Sequence, residues 1–516
     1  MFIRELRHKN GGIYIQVVDK SSGKYKVLKS FGSSTSTEGI LELKKRASMW
    51  MHEHQGVREI DFTREIEQVE QLLSGITHLK LAGIELVLGR IFDNIGFNKI
   101  NDELFRSLVL YRLVYPKSKL KTTEYLYRYE QKEWNEDAIY RYMDKLHSTQ
   151  KELVQQISYE HSLKVLGGQI NVVFYDVTTL YFEIDQEDEL RKTGFSKEGK
   201  HQNPQIILGL LVSKNGYPLA YDIYQGNKFE GHTLLPVLDS FKSKYKIEQL
   251  TIIADSGLLS QSNIDELQIK KYEFILGARI KNQKSSVQQK ILSLQLKNGQ
   301  SQLLEIDNLK LIISYSDDRA KKDKYNREKG LRKLEKQVRT GKLTKTSINN
   351  RGYNKYLTLE GELNVKIDME KFNQDAYWDG LKGYITNSSL TKDEILENYH
   401  HLWKIEKAFR VAKSDLKIRP IYHRLQRRIE AHICLTFTAY KVYKELERQL
   451  KEKHVPYSAT KVIEIAQSIF EILLITVSTE ILKPTGKYSV LESVHGRSFE
   501  LNIYLILLKG MSSSGW

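Results

Sequence analysis

A stripe of aromatic and charged residues recurs at helical spacing in the last quarter of the chain. On a helix that turns about 100° per residue, the stripe contains Tyr399, Trp403, Glu406, Arg410 and Lys413. One carboxylate therefore has two aromatic rings and two cations along its own row. An acid that only solubilises a helix needs no such neighbours, whereas an acid that holds a metal ion against a phosphodiester does. The spacing predicts a catalytic glutamate on one continuous helix over residues 399–413.

A second stripe, roughly 100° around the same predicted helix, is apolar. It contains Leu402, Ile405, Phe409, Ala412 and Leu416. Such a stripe is typical of a helix that packs on a hydrophobic core. The glutamate is therefore expected at the edge of the buried face.

Two aspartates follow runs that read as buried strands. Asp176 ends the apolar run 169–176, and Asp255 follows residues 250–254. A single aspartate at a strand end is usually a turn or cap residue. Acids at the ends of neighbouring strands can, however, meet at the rim of a sheet, where ligands bind. Glu406, on a helix that packs against the sheet, would complete a group of three.

Three carboxylates offer only oxygen ligands, which suit Mg²⁺ or Mn²⁺ better than zinc. Two such ions about 4 Å apart activate a water or a 3′-hydroxyl and stabilise the leaving oxygen, so no general-base histidine is needed. The single cysteine, Cys434, excludes an intramolecular disulfide and a cysteine-based zinc cage. The histidines show no zinc-binding spacing; those considered are His400, His401, His423 and His432.

The elements that would position the acids follow a recognisable order. A helical stretch over about 38–165 precedes them, and a helix-turn-helix and a plain bundle are both compatible with it. Strands are then predicted at 169–176, 206–212, 218–224, 250–254 and 272–277. Helices are predicted between the last three of these strands. The basic run 319–345 is either a solvated helix or a contact to a DNA backbone.

The composition favours a polyanionic partner. The net charge of the 516 residues is +16 and the isoelectric point is about 9.3. The longest apolar runs, 472–477 and 503–508, are too short to span a bilayer. We expect a protein of the cytoplasm with no membrane partner.

Between about 165 and 445 the chain resembles a known group of enzymes. The strand order with Asp176, Asp255 and Glu406 resembles the ribonuclease-H-like core of DDE transposases. The predicted helix resembles that of the IS-four-type insertion-sequence enzymes, whose signature is Y-x2-R-x3-E-x6-K. Tyr399, Glu406 and Lys413 stand at the required spacings.

One position departs from that signature. Leu402 stands where the group has arginine, and it belongs to the apolar stripe. Arg410 or Lys404 is expected to replace the missing phosphate contact. The departure bears on this one contact and not on the metal site.

The resemblance also implies roles for the residues. Asp176 would bridge two Mg²⁺ or Mn²⁺ ions, Asp255 would bind one of them and Glu406 the other. Tyr399 and Lys413 would hold phosphates near the scissile bond. Trp403 would either stack on a displaced base or pack beneath the helix.

The implied reaction is DNA cleavage at the terminal inverted repeats of an element, followed by strand transfer into target DNA. The implied partners are double-stranded DNA and a second copy of the chain, in the nucleoid-associated cytoplasm of a bacterium. Two alternatives stay open: a ribonuclease-H-fold nuclease or junction resolvase without strand transfer, and an inactive DNA-binding remnant. Loss of joining with retained nicking would indicate the nuclease.

We predict an α+β protein with a ribonuclease-H-like mixed-sheet core and a β-rich, basic insertion. The predicted regions are a small basic β segment at 1–37, a helical DNA-end-binding domain at 38–165, the catalytic core at 166–284 and 376–450, the insertion at 285–375, and a C-terminal helical region with a tail at 451–516. The tail from about 490 is unlike an ordered helix end, which invites the hypothesis of a frameshift.

Overall fold

The computed structural model describes most of the chain. The described residues are 1–8, 11–55, 76–196, 199–258, 260–340, 343, 347–349, 352–360 and 364–474. The chain divides into two compact units, residues 1–78 with 472–516 and residues 79–471. The helix predicted near 60–75 and the tail from about 490 lie outside the described residues.

Strands and helices are numbered in chain order. The strands are β1 Phe2–Arg7, β2 Ile13–Asp19, β3 Lys26–Ser34, β4 Ile76–Lys80, β5 Val172–Tyr181, β6 Gln205–Ser213, β7 Pro218–Gln225, β8 Thr251–Ala254, β9 Glu273–Ala278, β10 Ser301–Ile306, β11 Leu309–Tyr315, β12 Leu357–Glu360, β13 Asn364–Ile367, β14 Leu381–Thr386 and β15 Glu471–Leu474. The α-helices are α1 Thr37–His54, α2 Arg90–Ile95, α3 Glu103–Val114, α4 Lys119–Glu130, α5 Glu136–Lys145, α6 Lys151–Val165, α7 Leu234–Tyr245, α8 Gln261–Ile269, α9 Ser285–Leu292, α10 Asp317–Arg339, α11 Met369–Asp375, α12 Lys392–His400, α13 Trp403–Ser414, α14 Gln426–Glu452 and α15 Ala459–Ala466. Two π-helical segments, Ile84–Gly89 and Leu146–Gln150, adjoin α2 and connect α5 to α6.

The small N-terminal sheet predicted from the sequence is confirmed. Strands β1, β2 and β3 pair antiparallel in that order, and α1 packs on them. Ile15, Val17 and Ala47 form the buried centre of this layer. Ser36 caps α1 by accepting a hydrogen bond from the amide of Gly39.

The second unit is built on an eight-stranded mixed sheet, with the order β10-β11-β14-β9-β8-β5-β6-β7. Strand β8 runs parallel to both β5 and β9, and the other neighbours are antiparallel. An antiparallel meander, β5 to β7, followed by two parallel strands on its other side is the order expected of a ribonuclease-H-like core. The predicted α+β fold is confirmed.

The long runs of apolar residues in the central strands are explained by burial on both faces. On one face α13 and α14 pack on a core that includes Phe174 and Ile253. On the other face α7 and α8 cover a core that includes Tyr175 and Ala254. Successive residues of one strand therefore point into different cores. Once one residue of a strand is assigned to a core, the alternation gives the side of the sheet that each neighbouring residue faces.

Two strand predictions need correction. Strand β5 does not end at Asp176 but continues to Tyr181, because the following residues pair with β6 as far as Gln205. The strand-like pieces at the start of the predicted insertion, β10 and β11, pair with β14 and so extend the main sheet. Since β14 follows the insertion in sequence, this pairing is not visible from local pattern.

The continuous helix predicted over 399–413 is wrong. Helix α12 ends at His400, and α13 begins at Trp403. Between them the amides of His401 and Leu402 bond to carbonyls three residues back, which tightens the chain into a 3₁₀-like turn. The tighter turn separates Tyr399 from the row that contains Glu406. The apolar stripe is nevertheless correct, since Leu402 is only 8% exposed.

No helix among the described residues is long and apolar enough to cross a membrane.

Candidate active site

The two predicted aspartates occupy matching positions on neighbouring parallel strands. The last register pair between β5 and β8 is Tyr175 with Ala254, and Asp176 and Asp255 are the next residue of each chain segment. Adjacent strands lie about 4.8 Å apart. By the alternation of faces, both aspartates project toward the side that holds Phe174 and the helices α13 and α14. The structure therefore brings these two acids together.

Glu406 comes from the helix that covers this face. Ile405, Ala408 and Phe409 anchor α13 in the core, whereas Glu406 itself is exposed. Its charge reaches the same groups as that of Asp255, because both acids raise the pKa of Tyr399. Glu406 and Asp255 therefore share one electrostatic environment at the edge of the sheet.

Tyr399 connects α12 to the aspartate. Its hydroxyl lies 3.3 Å from Oδ1 of Asp255 and donates a hydrogen bond to it. The side chain is buried, and burial is the largest cause of the raised pKa of its hydroxyl, followed by the charge of Asp255. Gly277 makes this approach possible, because a Cβ at that position would stand 2.5 Å from the Tyr399 hydroxyl. The geometry holds the Asp255 carboxylate in place from the side of α12.

The three acids form a donor set whose chemistry fits Mg²⁺ or Mn²⁺, since each ligand atom is a carboxylate oxygen. In the described part of the chain, no three His, Cys, Asp or Glu side chains stand close enough together to hold an ion as they are. Oδ1 of Asp176 accepts a hydrogen bond of 2.8 Å from the amide of Val177. Like charges disfavour mutual approach, and a bound cation would offset that repulsion.

Lys382 lies at the centre of this arrangement, and sequence reasoning missed it. From β14 its Nζ stands 4.6 Å from the ring centroid of Tyr399 and 5.4 Å from that of Tyr384. Burial and the charge of Arg319 lower the pKa of its ammonium, and the charges of Asp255 and Glu406 oppose that effect. A single lysine in a strand carries no sequence signal of this kind.

A groove of about 860 Å³ opens beside these residues. Asp255, Tyr399 and Lys382 line one part of it, and α10 lines another through Arg319 and Asn326. Many of the other charges in the groove neutralise each other in ion pairs, namely Arg327–Asp379, Lys281–Asp375 and Lys355–Asp375. The groove therefore offers a polar channel that leads to Asp255, the one acid of the three in its lining.

Arg279 fixes the turn after the second aspartate. Its Nε donates to the carbonyl of Ser256 at 3.0 Å, and Nη2 donates to that of Gly257 at 3.4 Å. No carboxylate among the described residues pairs with it. The guanidinium is exposed to the groove, so it both orders the backbone beside Asp255 and presents positive charge.

The other residues predicted to bind DNA lie at differing depths. Trp403 is 49% exposed, so packing beneath the helix is not its role. Arg410 is exposed and Lys413 is partly buried. Lys404 is committed to the backbone, since its Nζ donates to the carbonyl of Lys214 at 2.6 Å. The structure places Trp403 and Arg410 on the accessible surface of α13, and leaves the DNA contacts themselves as predictions.

An eight-stranded mixed sheet, with acids at the ends of the register shared by two adjacent parallel strands and a third acid on the helix packed over them, is the arrangement that the sequence predicts for a ribonuclease-H-like core. The chain belongs to the family described as Transposase DDE domain, whose match covers residues 167–441, more than half of the sequence. Membership implies nuclease or transposase activity, and members of the family generally use divalent metal ions.

Two solved transposase structures are similar to the chain at low identity. One is a cryo-electron-microscopy structure of the piggyBac transposase synaptic complex with hairpin DNA, at 9% identity, covering 70% of this chain and 78% of that chain with a TM-score of 0.36. The other is the Mos1 transposase paired-end complex with the left transposon end, at 10% identity, covering 34% of this chain and 58% of that chain with a TM-score of 0.16. No curated protein matches the sequence.

Proposed function

We propose that the protein is the transposase of a bacterial insertion sequence of the IS-four type, which cuts double-stranded DNA at the terminal inverted repeats of its element and joins the freed ends to target DNA. The observation that carries the proposal is the shared register of Asp176 and Asp255, with Glu406 on the helix packed over the same face. Three acids so far apart in the sequence have no other evident reason to lie on one face of the sheet.

Asp176, Asp255 and Glu406 would hold two Mg²⁺ or Mn²⁺ ions. Bound ions supply Lewis-acid activation of the attacking water or 3′-hydroxyl and neutralise charge on the leaving oxygen. Tyr399 orients Asp255 through its hydroxyl, and Lys382 offers positive charge to the phosphate that approaches the acids. These two side chains belong to the protein's own contribution to positioning and charge stabilisation.

The DNA would enter along the groove beside the acids. Arg279 and Lys382 carry positive charge there without a carboxylate partner among the described residues. Arg410 and Lys413 would hold phosphates from α13, and Trp403 would stack on a displaced base, for which its exposure leaves it available. Contacts of this kind fix the register of the DNA and do not read its sequence.

The signature arginine position is filled by a buried leucine, so another cation must serve that phosphate. Lys404 is the weaker candidate, because its ammonium already bonds to the backbone of Lys214. Lys382 is the stronger candidate, because the charges of both Asp255 and Glu406 act on it. We therefore assign the replacement contact to Lys382, with Arg410 as a second contact further along α13.

The test is a cleavage assay with duplex DNA that carries the inverted repeats flanking the gene. Wild-type protein with Mg²⁺ should cut at the repeat ends. Asp176→Asn, Asp255→Asn and Glu406→Gln should each reduce cleavage by more than about 10³-fold, the order expected when a metal ligand is lost from a site that works as a unit. Their affinity for the uncut repeat should stay within about threefold of the wild type, a fraction of a kcal/mol.

Asp222→Asn is the matched control, because Asp222 lies on β7 and its charge acts on Tyr175 and Tyr224, which pack in the core on the opposite face of the sheet. Retained Mg²⁺-dependent cleavage in any triad variant would remove that residue from the site. A pre-cut repeat end supplied with target duplex separates the two enzyme classes: joining indicates a transposase, and nicking without joining indicates a nuclease. Specific binding without either reaction would indicate an inactive remnant. The proposed working unit is a homodimer in which each copy cuts one end. The molecular mass of the complex with repeat DNA checks this stoichiometry.

A further inference from the structure

Four basic side chains from distant parts of the sequence form one cluster beside the start of α14. We call it the basic cluster. They are Arg112 near the end of α3, Lys119 at the start of α4, His423 before α14 and His432 within it. Arg112 and His432 are buried, and the rings of His423 and His432 lie 5.3 Å apart. None of the four pairs with a carboxylate among the described residues.

His432 is neutral by the chemistry of its partners. Its Nε2 lies 3.0 Å from the carbonyl oxygen of Ile418, to which it donates. Nη2 of Arg112 lies 3.0 Å from Nδ1 and 2.9 Å from Nε2. Because a carbonyl oxygen can only accept, the ring proton is on Nε2, and Nδ1 is the nitrogen that accepts from Arg112. A second proton on the ring would point at the guanidinium. His432 thus positions Arg112 without offsetting its charge.

Arg112 keeps its charge nevertheless. Burial lowers the pKa of its guanidinium to about 10, which leaves it protonated at neutral pH. Its Nε has no hydrogen-bond partner. A buried cation without a counter-charge costs several kcal/mol, and an unsatisfied donor adds to that cost. The arrangement is one that a bound anion would stabilise.

The start of α4 points to the same kind of ligand. The first turn of this helix contains Lys119 and Lys121 and no acidic residue, so cations stand where the helix dipole favours an anion. Lys121 is paired with Glu124, whereas Lys119 has no such partner among the described residues. The charge of Lys119 lowers the pKa of both His423 and His432. Burial and the charge of Arg112 in turn lower the pKa of the Lys119 ammonium well below its ordinary value, so a bound anion would stabilise its charged form.

The cluster is open to solvent on one side. Lys119 and His423 are partly exposed, and the neighbouring Tyr422 and Arg424 are exposed. An anion would approach the guanidinium from this side, where Arg112 itself keeps 7% of its surface exposed.

We infer that Arg112, Lys119 and His423 form a binding site for a phosphate group, separate from the three acids. Arginine and lysine together suit a phosphate, because the guanidinium offers a planar fork of donors and the ammonium a point charge. The phosphate belongs either to the DNA backbone or to free inorganic phosphate. The DNA source rests on the proposed function, and the free-ion source does not.

The DNA arm measures the salt dependence of binding to a duplex of about 30 base pairs, long enough for several phosphate contacts. Lys119→Met should weaken binding severalfold and reduce the slope of log K against log salt by about 0.9, the loss of one phosphate contact. Lys121→Met is the matched control. It removes the same charge two residues further along the helix, from a side chain that is already paired with Glu124. Its slope should stay close to that of the wild type.

The free-ion arm measures thermal unfolding in inorganic phosphate against chloride at equal ionic strength. The melting temperature of the wild type should rise by about 2 °C or more in millimolar phosphate. Lys119→Met should abolish the rise, and Lys121→Met should retain it. Arg112→Met is the second variant, but Lys119→Met decides the question, because removing a cation that burial and Arg112 already disfavour should not destabilise the fold.

A changed DNA slope alone assigns the site to a backbone phosphate, and a phosphate-dependent melting shift alone assigns it to the free ion. If Lys119→Met and Lys121→Met behave alike in both arms, the inference is overturned. Failure of the proposed function would give a different result. Wild-type protein would then not cut the repeat DNA, while the difference between Lys119→Met and Lys121→Met would remain.

Discussion

At the scale of single residues, catalysis is expected to depend on the charge of Lys382. Lys382→Met should reduce the cleavage rate about 10²-fold, the usual cost of removing one preorganised charge from a transition state. Affinity for uncut DNA should change less than tenfold, because one phosphate contact among several is lost. Single-turnover rates and binding curves on the same duplex separate the two quantities.

The control for that experiment lies in the same groove. Lys281 is already paired with Asp375, so Lys281→Met should leave the single-turnover rate within about threefold of the wild type. Lys382→Arg should recover part of the rate, since it restores the charge. Equal losses in Lys382→Met and Lys281→Met would mean that the groove contributes only general electrostatic attraction.

Tyr399 should act through position, not through proton transfer. Burial and the charge of Asp255 raise the pKa of its hydroxyl, so the hydroxyl stays protonated across the working range of pH. Tyr399→Phe should slow cleavage about tenfold by releasing one hydrogen bond to a charged group, a contribution of about 1.5 kcal/mol. The pH profile of the rate should keep its shape; a profile that loses one limb would assign the tyrosine a direct role in proton transfer.

Gly277→Ala provides an independent check, because its Cβ would displace the same hydroxyl from the other side. Its φ does not require glycine, so the expected loss comes from the contact and not from backbone strain. Gly277→Ala should lower the cleavage rate at least as much as Tyr399→Phe does. The double variant should lower the rate little more than the more damaging of the two single variants.

At the scale of elements, the turn between α12 and α13 decides which side chains α13 can present. Leu402 sits in that turn with its side chain in the core, in contrast to the arginine of the signature. Leu402→Arg should therefore bury a charge, destabilise the protein by about 3 kcal/mol and lower its melting temperature without improving DNA affinity. Leu402→Met, which conserves volume, should cost less than about 1.5 kcal/mol. Tighter DNA binding by Leu402→Arg at unchanged stability would show that the position is still a polar one.

The sequence predicts those elements whose determinants are local. The central strands are recognisable because burial on both faces produces short, continuous apolar runs, and the Asn215-Gly216 turn marks the hairpin of β6 and β7. The helix interruption at His401 and Leu402 is not recognisable, since both residues keep helical dihedral angles and only the hydrogen-bond spacing changes. A helical wheel assumes that spacing and so cannot reveal the change.

Parts of the candidate site depend on contacts between distant segments, and these escape sequence reasoning. The aspartates could be predicted because each follows an apolar run, although β5 extends beyond Asp176. Lys382 could not, because its place beside Tyr399 depends on the pairing of β14 with β9. The same holds for Arg112 and His432, which are separated by 320 residues and meet only through the packing of α3 on α14.

At the scale of the whole molecule, the buried histidines should set the acid limit of stability. Burial, with the nearby charges of Lys119 and Arg112, lowers the pKa of His423 to about 3, and burial lowers that of His432 well below its ordinary value. Arg428 also lowers the pKa of His423, and the Ile418 carbonyl acts in the opposite direction on His432. In the unfolded chain both rings titrate near 6.5.

The sign of the effect follows from which state takes up protons. Below about pH 6.5 the unfolded chain binds protons that the folded protein excludes, so stability is full above pH 7 and falls as the pH drops. Each ring should cost about 1 kcal/mol between pH 7 and pH 5.5. The carboxylates do not mask this window, because groups such as Glu445, whose pKa is lowered to about 2 with Arg448 and Tyr217 as partners, lose their contribution only below about 4.5.

The measurement is urea unfolding from pH 8 to pH 5 in a buffer free of phosphate, since an anion bound at the basic cluster would favour protonated histidine and reduce the slope. His423→Asn should remove about 1 kcal/mol of the loss between pH 7 and pH 5.5, because asparagine does not titrate. Added phosphate should flatten the wild-type curve and leave that of His423→Asn nearly unchanged. A wild-type stability that is constant down to pH 5 would mean that His423 and His432 gain protons in the folded protein, and the neutral arrangement of the cluster would then be wrong.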